Sequence, residues 1–504
     1  MDRESVGRWA GQALEAAFQF LWGPVMLALL LGAGVWLTAR TGCLPLTRWR
    51  AMWRRTFGDL LAGRSSSAGG LTPFQAMSTA LASTAGTGNV TGVAAALMAG
   101  GPGAVFWMWV SAFFGMATKY AEVVLAQRYR RRDGQGGYRG GPMYVLRDGL
   151  GLPRLAALFA LAALPASVGM GNMVQSAALA QAAHGLWAVP VGRSGLAAAL
   201  ITALVVAGGA RAVARTAQTL VPCVAGLYLL GALAVLALCC DRILPSLARI
   251  AQDAFALRPA AAGAGGYALS QALRVGLARG AFSNEAGLGS ASIAHAAAGA
   301  REPVEQGFWG AMEVFLDTLV LCTLTALVIL ASGAFDAWRA GAAGGAETLA
   351  ISAFTRALGP AGAWLAGVCT ILFALGSLLG WCFYGEQCCA YLFPGAARRA
   401  RRLFRAGYIA AVYGGAVLRP ALLWSLADLC NALMAVPNLT ALFLLSGTVA
   451  RMTRDYWSRH PARHPAPHPD SAAGGPSCAR RRRGRGPQSH NRPARGAAGR
   501  RRSL

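Results

Sequence analysis

Charged residues are scarce in this chain. Asp, Glu, Lys and Arg make up 13% of its 504 residues, whereas soluble domains carry about 25%. Lys119 is the single lysine, so arginine supplies nearly all of the basic side chains. Hydrophobic residues make up 55% of the sequence. So little charge in so long a chain argues against a soluble globular protein.

Motifs of metal sites and of covalent catalysis are also missing. The 11 cysteines are scattered apart from two adjacent pairs, and they form no C-x-x-C or Cys/His pattern. There is no Ser/His/Asp elbow, zinc motif or phosphate loop. The spacing Gly86-x-Gly88-x-x-x-Gly92 lacks the strand context of a dinucleotide loop. We therefore expect no enzyme, no cofactor and no metal beyond a coupling ion.

What the sequence does contain is a series of apolar runs of about 20 residues, the length that crosses a bilayer. They predict an all-α polytopic membrane protein. The first run has no A-x-A cleavage site, so we interpret it as a retained span. About 11 transmembrane helices are expected, at about 17–38, 72–97, 103–127, 155–183, 194–210, 213–240, 263–297, 307–332, 361–393, 403–417 and 421–450.

Arginine placement predicts the orientation. With the amino terminus outside, about 20 loop arginines before residue 451 fall on the cytoplasmic side and about nine on the external side. Cytoplasmic loops carry an excess of basic residues. An odd number of spans then leaves the carboxyl terminus in the cytoplasm.

Two of the predicted spans have polar, glycine-rich centres, at Gly86-Thr-Gly-Asn89 and Ser283-Asn-Glu-Ala-Gly287. Glycine weakens a helix by about 1 kcal/mol relative to alanine. One interpretation is close helix packing through small residues. The other is a pair of interrupted helices that form a transporter binding site at the midplane. The second is favoured because each segment opens a set of five spans, so the two sets have inverted topology.

The predicted organisation has five parts. Residues 1–71 hold an extra N-terminal transmembrane helix and a basic interfacial segment. Residues 72–240 form the first five-helix repeat, 241–262 an external connector, and 263–450 the second, inverted five-helix repeat. Residues 451–504 are predicted to be a disordered Arg-rich cytoplasmic tail. Anionic lipid is a candidate partner of this tail, and no specific nucleic acid is expected.

The first interruption offers groups that suit both an anion and a small cation. Free N–H groups and hydroxyls at Thr87, Gly88 and Asn89 could hold a carboxylate. Freed carbonyls on the side of Ala82 and Ala85 could hold a cation. Gln175 is a further neutral hydrogen-bonding residue, and interhelical hydrogen bonding is its alternative role.

Ionisable residues within predicted spans are functional candidates. Lys119 and Glu122 are three residues apart on one helix face, so we predict a structural ion pair. Glu285 lies in the second interruption, where gating, ion coupling and structure are all open roles. Glu313 and Asp317 share a helix face and could satisfy unwound backbone or His295. We interpret all five residues as gating or structural polar groups: Lys119, Glu122, Glu285, Glu313 and Asp317.

Taken together, these stretches resemble the alanine-or-glycine:cation symporters of the amino acid–polyamine–organocation group. The resemblance covers nearly everything from Trp22 to Arg451. Its most specific stretches are Ala85-Gly-Thr-Gly-Asn-Val-Thr-Gly92, Phe114-Gly-Met-Ala-Thr-Lys-Tyr-Ala-Glu122, Gly171-Asn-Met-Val-Gln175, Arg279-Gly-Ala-Phe-Ser-Asn-Glu-Ala-Gly-Leu-Gly-Ser290, Gly380-Trp-Cys-Phe-Tyr-Gly-Glu386 and Asn431-Ala-Leu-Met-Ala-Val-Pro-Asn-Leu439.

The resemblance implies a five-plus-five inverted-repeat (LeuT-like) fold. The composition is typical of a GC-rich bacterium, so we expect the membrane to be the bacterial inner membrane. The resemblance also implies sodium-driven import of alanine or glycine by alternating access. The residues then expected to bind substrate are Thr87, Gly88, Asn89, Gln175, Phe282, Ser283 and Trp381. Phe282 and Trp381 would wall the side-chain pocket, and carbonyls near Phe282 and Ser283 would meet the amino group.

Sodium is expected, by the same resemblance, at Ala82, Ala85 and Ser377. Family members usually have two adjacent hydroxyl residues where this chain has Gly376-Ser377, so one ligand is lost. Proton coupling is therefore an alternative. A larger neutral substrate such as glutamine is another.

Overall fold

The computed structural model describes residues 23–63, 69–134, 136–255, 261–418 and 421–460. Within them the structure is almost entirely helical, as the sequence predicted. Residues 1–22 and 461–504 lie outside the described residues, and with them the start of the first predicted span and most of the predicted tail.

The helices, numbered along the chain, are α1 Pro24–Arg40, α2 Leu44–Thr47, α3 Trp49–Trp53, α4 Asp59–Leu61, α5 Pro73–Thr84, α6 Thr91–Gly100, α7 Gly103–Arg128, α8 Pro142–Tyr144, α9 Pro153–Val168, α10 Gln175–Trp187, α11 Val191–Ala207, α12 Gly209–Leu238, α13 Ile243–Ala254, α14 Ala261–Asn284, α15 Ser290–Ala296, α16 Pro303–Val314, α17 Thr323–Ala331, α18 Ala334–Arg339, α19 Ala346–Leu358, α20 Pro360–Leu392, α21 Ala397–Val417 and α22 Ala421–Arg459.

Shorter elements connect or interrupt these helices. A two-stranded antiparallel hairpin pairs β1 Arg131–Arg132 with β2 Tyr138–Arg139. The 3₁₀ turns are Thr87–Asn89, Cys240–Arg242 and Pro394–Ala396, and the π segments are Arg54–Gly58, Val145–Gly149, Gly169–Val174 and Phe315–Cys322. Segments of the π type occur frequently at functional sites.

The start of α5 is encoded locally. The Thr72 side chain accepts a hydrogen bond from the Gln75 backbone N–H, and the Gln75 side chain accepts one from the Thr72 N–H. This capping box satisfies two N–H groups that a helix start leaves unpaired. Pro73 follows at the first helical position, where its missing N–H costs nothing. Local hydrogen bonds thus determine where α5, the helix that leads to the first interruption, begins.

Helix α7 is central to the packing and contacts α1, α13, α14 and α16. Glycines set the distance of approach. A Cβ at Gly276 of α14 would lie 2.3 Å from the Ala104 carbonyl oxygen, and one at Gly307 of α16 would lie 2.7 Å from the Tyr120 ring. Small residues at helix interfaces let backbones approach closely within a membrane. These contacts hold α14 and α16, which carry site residues, against one rigid helix.

Five helical segments in the described part of the chain are long and apolar enough to cross a membrane. They are Pro153–Trp187, Gly209–Leu238, Pro303–Ala331, Pro360–Leu392 and Leu429–Arg459. Shorter apolar helices are Val25–Arg40, Thr91–Gly100 and Val191–Ala207. The structure is that of an all-α membrane protein.

One predicted boundary differs from the structure, and the predicted connector is partly helical. The segment predicted as a connector, 241–262, contains helix α13, whose Ile250 and Ala254 are buried. The last helix continues to Arg459, so residues 451–459 are helical and not part of a disordered tail. Tyr456 explains the extension, since it is fully buried and packs edge-on against Phe308.

Candidate functional site

The first interruption frees two carbonyl groups at the end of α5. In a continuous helix, Ala82 and Ser83 would accept the N–H groups of Gly86 and Thr87. Here the Gly86 N–H bonds to the Thr84 carbonyl at 2.8 Å, and the Thr87 N–H bonds to Gln175 Oε1 at 3.2 Å. The Ala82 and Ser83 carbonyls are therefore available to other partners at the negative end of the helix dipole.

Ser377 on α20 lies against these two carbonyls. Its Oγ donates to the Ala82 carbonyl at 3.1 Å and lies 3.3 Å from the Ser83 carbonyl. Ser377 is fully buried. A Cβ at Gly86 would lie 2.4 Å from Ser377 Oγ, so only glycine leaves room for this approach. The result is a compact group of neutral oxygens that joins α5 to α20.

Gln175 closes the other side of the first interruption. Its Oε1 accepts hydrogen bonds from the Thr87 N–H at 3.2 Å and the Thr87 hydroxyl at 3.1 Å. Next to it, Gly88 is partly exposed, and a Cβ added there would meet no atom within 4 Å. Two donors and an open space beside them form a setting in which a carboxylate oxygen could replace Gln175 Oε1.

Trp381 stands one helical turn beyond Ser377 and is buried, with 1% of its surface exposed. It packs directly on Gly171, where a Cβ would lie 2.1 Å from Trp381 Cγ. Phe282 is half-buried and lies beneath the guanidinium of Arg279, 5.8 Å from its ring centre. The ring partner that the structure gives Trp381 is Tyr384, at 5.5 Å between ring centres.

The second interruption separates α14 from α15 at residues 285–289. Glu285 adopts a positive φ of 53°, which is rare for a residue with a side chain. Its Oε2 accepts a hydrogen bond from Ser290, and its Oε1 has no partner among the described residues. The Gly287 N–H donates to Glu122 Oε1 at 2.8 Å, and Asn438 Nδ2 donates to the same oxygen at 2.7 Å.

Asp317 connects the two interruptions. Asn89 Nδ2 donates to Asp317 Oδ1 at 2.8 Å, and Ser283 Oγ donates to Asp317 Oδ2 at 2.8 Å. The Thr318 hydroxyl donates to Oδ2 as well, at 2.8 Å. Asp317 is fully buried within the π segment Phe315–Cys322. One carboxylate thus holds a residue from each interrupted helix.

Glu313 forms a second buried connection. Gln306 Nε2 donates to His295 Nδ1 at 2.8 Å, so the imidazole proton lies on His295 Nε2. His295 Nε2 then donates to Glu313 Oε2 at 2.8 Å. The Thr84 hydroxyl lies 3.4 Å from Glu313 Oε1. The sequence-based suggestion that Glu313 or Asp317 would bond to His295 holds for Glu313.

The predicted Lys119–Glu122 ion pair is wrong. Lys119 Nζ lies 3.8 Å from Glu313 Oε1, and Glu122 is taken up by Gly287 and Asn438. Spacing of three along one helix brings two side chains to one face, but α16 places a second, competing carboxylate beside Lys119. The Lys119 ammonium is fully buried and has no hydrogen-bond partner in the described part of the chain.

Two cavities lie toward opposite ends of α20. The first, here the Thr370 cavity, has a volume of about 440 Å³ and is lined by Val90, Thr91, Gln181 and Thr370 among others. The second, here the arginine cavity, has a volume of about 420 Å³ and includes Phe383 and Glu386. Ser377 and Trp381 lie between these two ends of the helix.

Sequence reasoning missed Asn438 and Gly171 as parts of the site. Both occur in stretches that carry the family resemblance, Asn431 to Leu439 and Gly171 to Gln175. An isolated asparagine in a predicted span was the available signal for the first. Nothing in the sequence indicates that Gly171 faces a tryptophan from another helix.

Comparison with known proteins decides the family. Residues 8–468 match the family model described as the sodium:alanine symporter family. The chain belongs to the sodium:alanine symporter family. This confirms the resemblance found in the sequence. The family is made up of transporters and not enzymes, so the chain is a membrane transporter.

Three relatives are similar to this chain over most of its length. The sodium/alanine symporter AgcS of Methanococcus maripaludis is 41% identical over 87% of this chain and 95% of its own length. A protein of Haemophilus influenzae described as an uncharacterized transporter is 41% identical over 88% and 96%. The probable sodium/glutamine symporter GlnT of Bacillus subtilis is 36% identical over 87% and 89%.

Proposed function

We propose that this protein imports alanine or glycine together with sodium by alternating access. The observation that carries the proposal is the position of Ser377 Oγ against the freed Ala82 and Ser83 carbonyls. Sodium requires several oxygen ligands, none of which need be charged. In secondary transporters, unwound carbonyls and half-helix C-terminal ends supply such ligands.

For the ion, we assign the Ala82 and Ala85 carbonyls and the Ser377 hydroxyl as ligands. Ala85 is the residue at which α5 ends, with φ −76° and ψ 69°, so its carbonyl no longer points along the helix axis. Sodium at this place would attract the helix's negative end and replace the hydrogen bond that Ser377 now donates. No other cofactor is proposed.

For the substrate, we assign the carboxylate to Thr87 and Gly88, with Gln175 releasing the two Thr87 donors it now accepts. The amino group would meet carbonyls at Phe282 and Ser283 on the other interrupted helix. Trp381 and Phe282 would limit the side chain, and one extra methylene is worth only about 1–3 kcal/mol in such a pocket. Asn89 would contribute to the substrate site through its hydrogen bond to Asp317.

The proposed architecture has eleven spans, with an inverted repeat of five plus five after an extra first helix. The amino terminus lies outside and the carboxyl terminus in the cytoplasm of a bacterial inner membrane. Thr370 and Phe383 are 13 residues apart on α20, about 20 Å along a helix. The two cavities at these ends support the alternating-access proposal, because each would give access to the site from one side.

A second candidate is proton coupling, favoured by the buried His295–Glu313 hydrogen bond. Histidine changes charge near neutral pH, and a carboxylate beside it could pass or hold a proton. The name of GlnT likewise leaves glutamine as an alternative substrate. An uptake measurement distinguishes both alternatives from the sodium-coupled import of alanine.

Radiolabelled alanine uptake into proteoliposomes tests the proposal. We expect uptake when sodium is higher outside and none when choline replaces it. Glycine should compete, whereas glutamine should not, because the Trp381–Gly171 contact leaves little space. Uptake in choline driven by a pH gradient would contradict sodium coupling and support the His295–Glu313 alternative.

Ser377→Ala tests the ion assignment. Loss of one hydroxyl ligand should raise the sodium concentration for half-maximal uptake by about three- to tenfold. The matched control is Ser167→Ala, a fully buried serine whose hydroxyl bonds to Leu164 in its own helix. Equal sodium dependence in the two variants would place the ion elsewhere.

A further inference from the structure

The arginine cavity has a strongly unbalanced charge. Its walls come from the approach to α5, the β1–β2 hairpin, the start of α12, and facing parts of α20 and α21. Six arginines line it, against two acidic residues, Asp133 and Glu386. The arginines are Arg139, Arg211, Arg398, Arg401, Arg402 and Arg405.

The acidic residues do not neutralise this excess. Glu386 forms a two-pronged ion pair with Arg405, with distances of 2.5 and 2.7 Å, and its charge also acts on Arg401. Asp133 accepts the Gly137 N–H at 2.8 Å within the hairpin. The other five arginines that line the cavity form no ion pair within 4 Å with any described residue.

Like charges are brought close together at one wall. Arg401 is half-buried on α21, near Arg139 of the hairpin. Burial lowers the pKa of Arg401, and the positive charges of Arg139 and Arg405 lower that pKa further, whereas the negative charges of Glu386 and Asp133 partly oppose this shift. Bringing like charges together costs free energy unless an anion lies between them. Guanidinium groups match phosphate oxygens with paired hydrogen bonds.

A glutamine in the same wall contributes no open acceptor. Gln387 lines the cavity with 8% of its surface exposed, but its Oε1 is fully buried and has no hydrogen-bond partner among the described residues. The arginines are therefore the groups that remain to hold an anion. Phosphate oxygens are strong hydrogen-bond acceptors. Sulfate is the weaker base and therefore the weaker acceptor.

We propose that the arginine cavity binds an anion bearing a phosphate group, held by Arg139, Arg401 and Arg402. In the eleven-span topology proposed for the chain, this cavity opens to the cytoplasm. The phosphate group could belong to free inorganic phosphate or to the headgroup of a lipid such as phosphatidic acid. The phosphate site is separate from the Ser377 group, so its binding can be measured without measuring transport.

Thermal unfolding of the full-length purified protein tests this site. In detergent, inorganic phosphate should raise the unfolding temperature more than sulfate or chloride at matched ionic strength. In nanodiscs, phosphatidic acid in phosphatidylcholine should do the same relative to phosphatidylcholine alone. Stabilisation in the first arm identifies free phosphate as a ligand, and stabilisation only in the second identifies a headgroup. No stabilisation in either arm, or equal stabilisation by sulfate, overturns the proposal.

Variants test whether phosphate binds in the arginine cavity. Arg401→Gln should weaken phosphate binding by about tenfold, the loss of one charge-assisted interaction. Arg399→Gln is the matched control, because Arg399 lies on the same helix and is exposed but does not line the cavity. If Arg401→Gln does not fold, Arg139→Gln makes the same test from the hairpin. Equal binding by the control and the cavity variants would overturn the assignment.

Discussion

Glu313→Gln should lower the free energy of unfolding by about 3–5 kcal/mol. The reason is Lys119, whose ammonium is fully buried 3.8 Å from Glu313 and has no hydrogen-bond partner among the described residues. Removing one partner of a buried pair leaves an uncompensated charge, which costs about this much. Unfolding of the detergent-solubilised protein by increasing SDS would measure the change.

The double variant Lys119→Met/Glu313→Gln separates the charge from other roles of Glu313. It should be more stable than Glu313→Gln, because the uncompensated ammonium is gone, with a coupling free energy of about 0.5–3 kcal/mol. The exposed pair Arg249–Asp336, at 2.8 Å, provides the comparison. Asp336→Asn should cost at most about 1 kcal/mol. If the changes in unfolding free energy of the two single variants simply add in the double variant, Lys119 and Glu313 do not interact.

Asp317→Ala should reduce alanine uptake by at least about 100-fold. Hydrogen bonds to charged groups are worth about 1.5–3 kcal/mol each, and Asp317 accepts one from each interrupted helix, at Asn89 and Ser283. Without them, Thr87 and Ser283 would no longer be held at the spacing that a small amino acid requires. Initial uptake rates, normalised to protein reconstituted in the membrane, would measure the effect.

Asp317→Asn distinguishes geometry from charge. An asparagine can still accept from Asn89, and the Ser283 and Thr318 hydroxyls can turn to accept from its amide. Substantial recovery of uptake, relative to Asp317→Ala, is expected if Asp317 only positions the two interruptions. An Asn variant as inactive as the Ala variant would instead require the negative charge, and near-normal uptake by Asp317→Ala would contradict the positioning role.

The interruptions themselves could be predicted from sequence, because glycine and polar residues in an apolar run have a local physical cost. Thr87 and Ser283 both lie where the helices stop, and the resemblance placed Ser377 near Ala82. Partners on different helices could be predicted only in part, as for His295 and Glu313. Lys119 has Glu122 in reach on its own helix, yet it lies beside Glu313, since packing between helices depends on distances that periodicity does not contain.

The boundaries show the same limit. The polar stretch at 241–262 predicts a connector, but not that it contains α13, whose Ile250 and Ala254 are buried. The arginines that begin at residue 451 predict a tail, yet Tyr456 anchors the first part of it. The π segments could not be predicted at all. Their extra residue per turn leaves no compositional mark, although Asp317 and Gly171 both lie in one.

The π segment Phe315–Cys322 makes the length of the chain part of the site. Each residue of an α-helix turns the next by about 100°. Deleting one residue after Asp317 must either remove the wide turn around Asp317 or, if that turn is kept, rotate Thr325 away from the Asn89 carbonyl, to which Thr325 donates at 2.8 Å. Glu313, before the deletion, would keep its orientation. Substitutions between Glu313 and Thr325 can reduce transport to different degrees. Insertions and deletions there should abolish it, so we expect none in any functional member of the family.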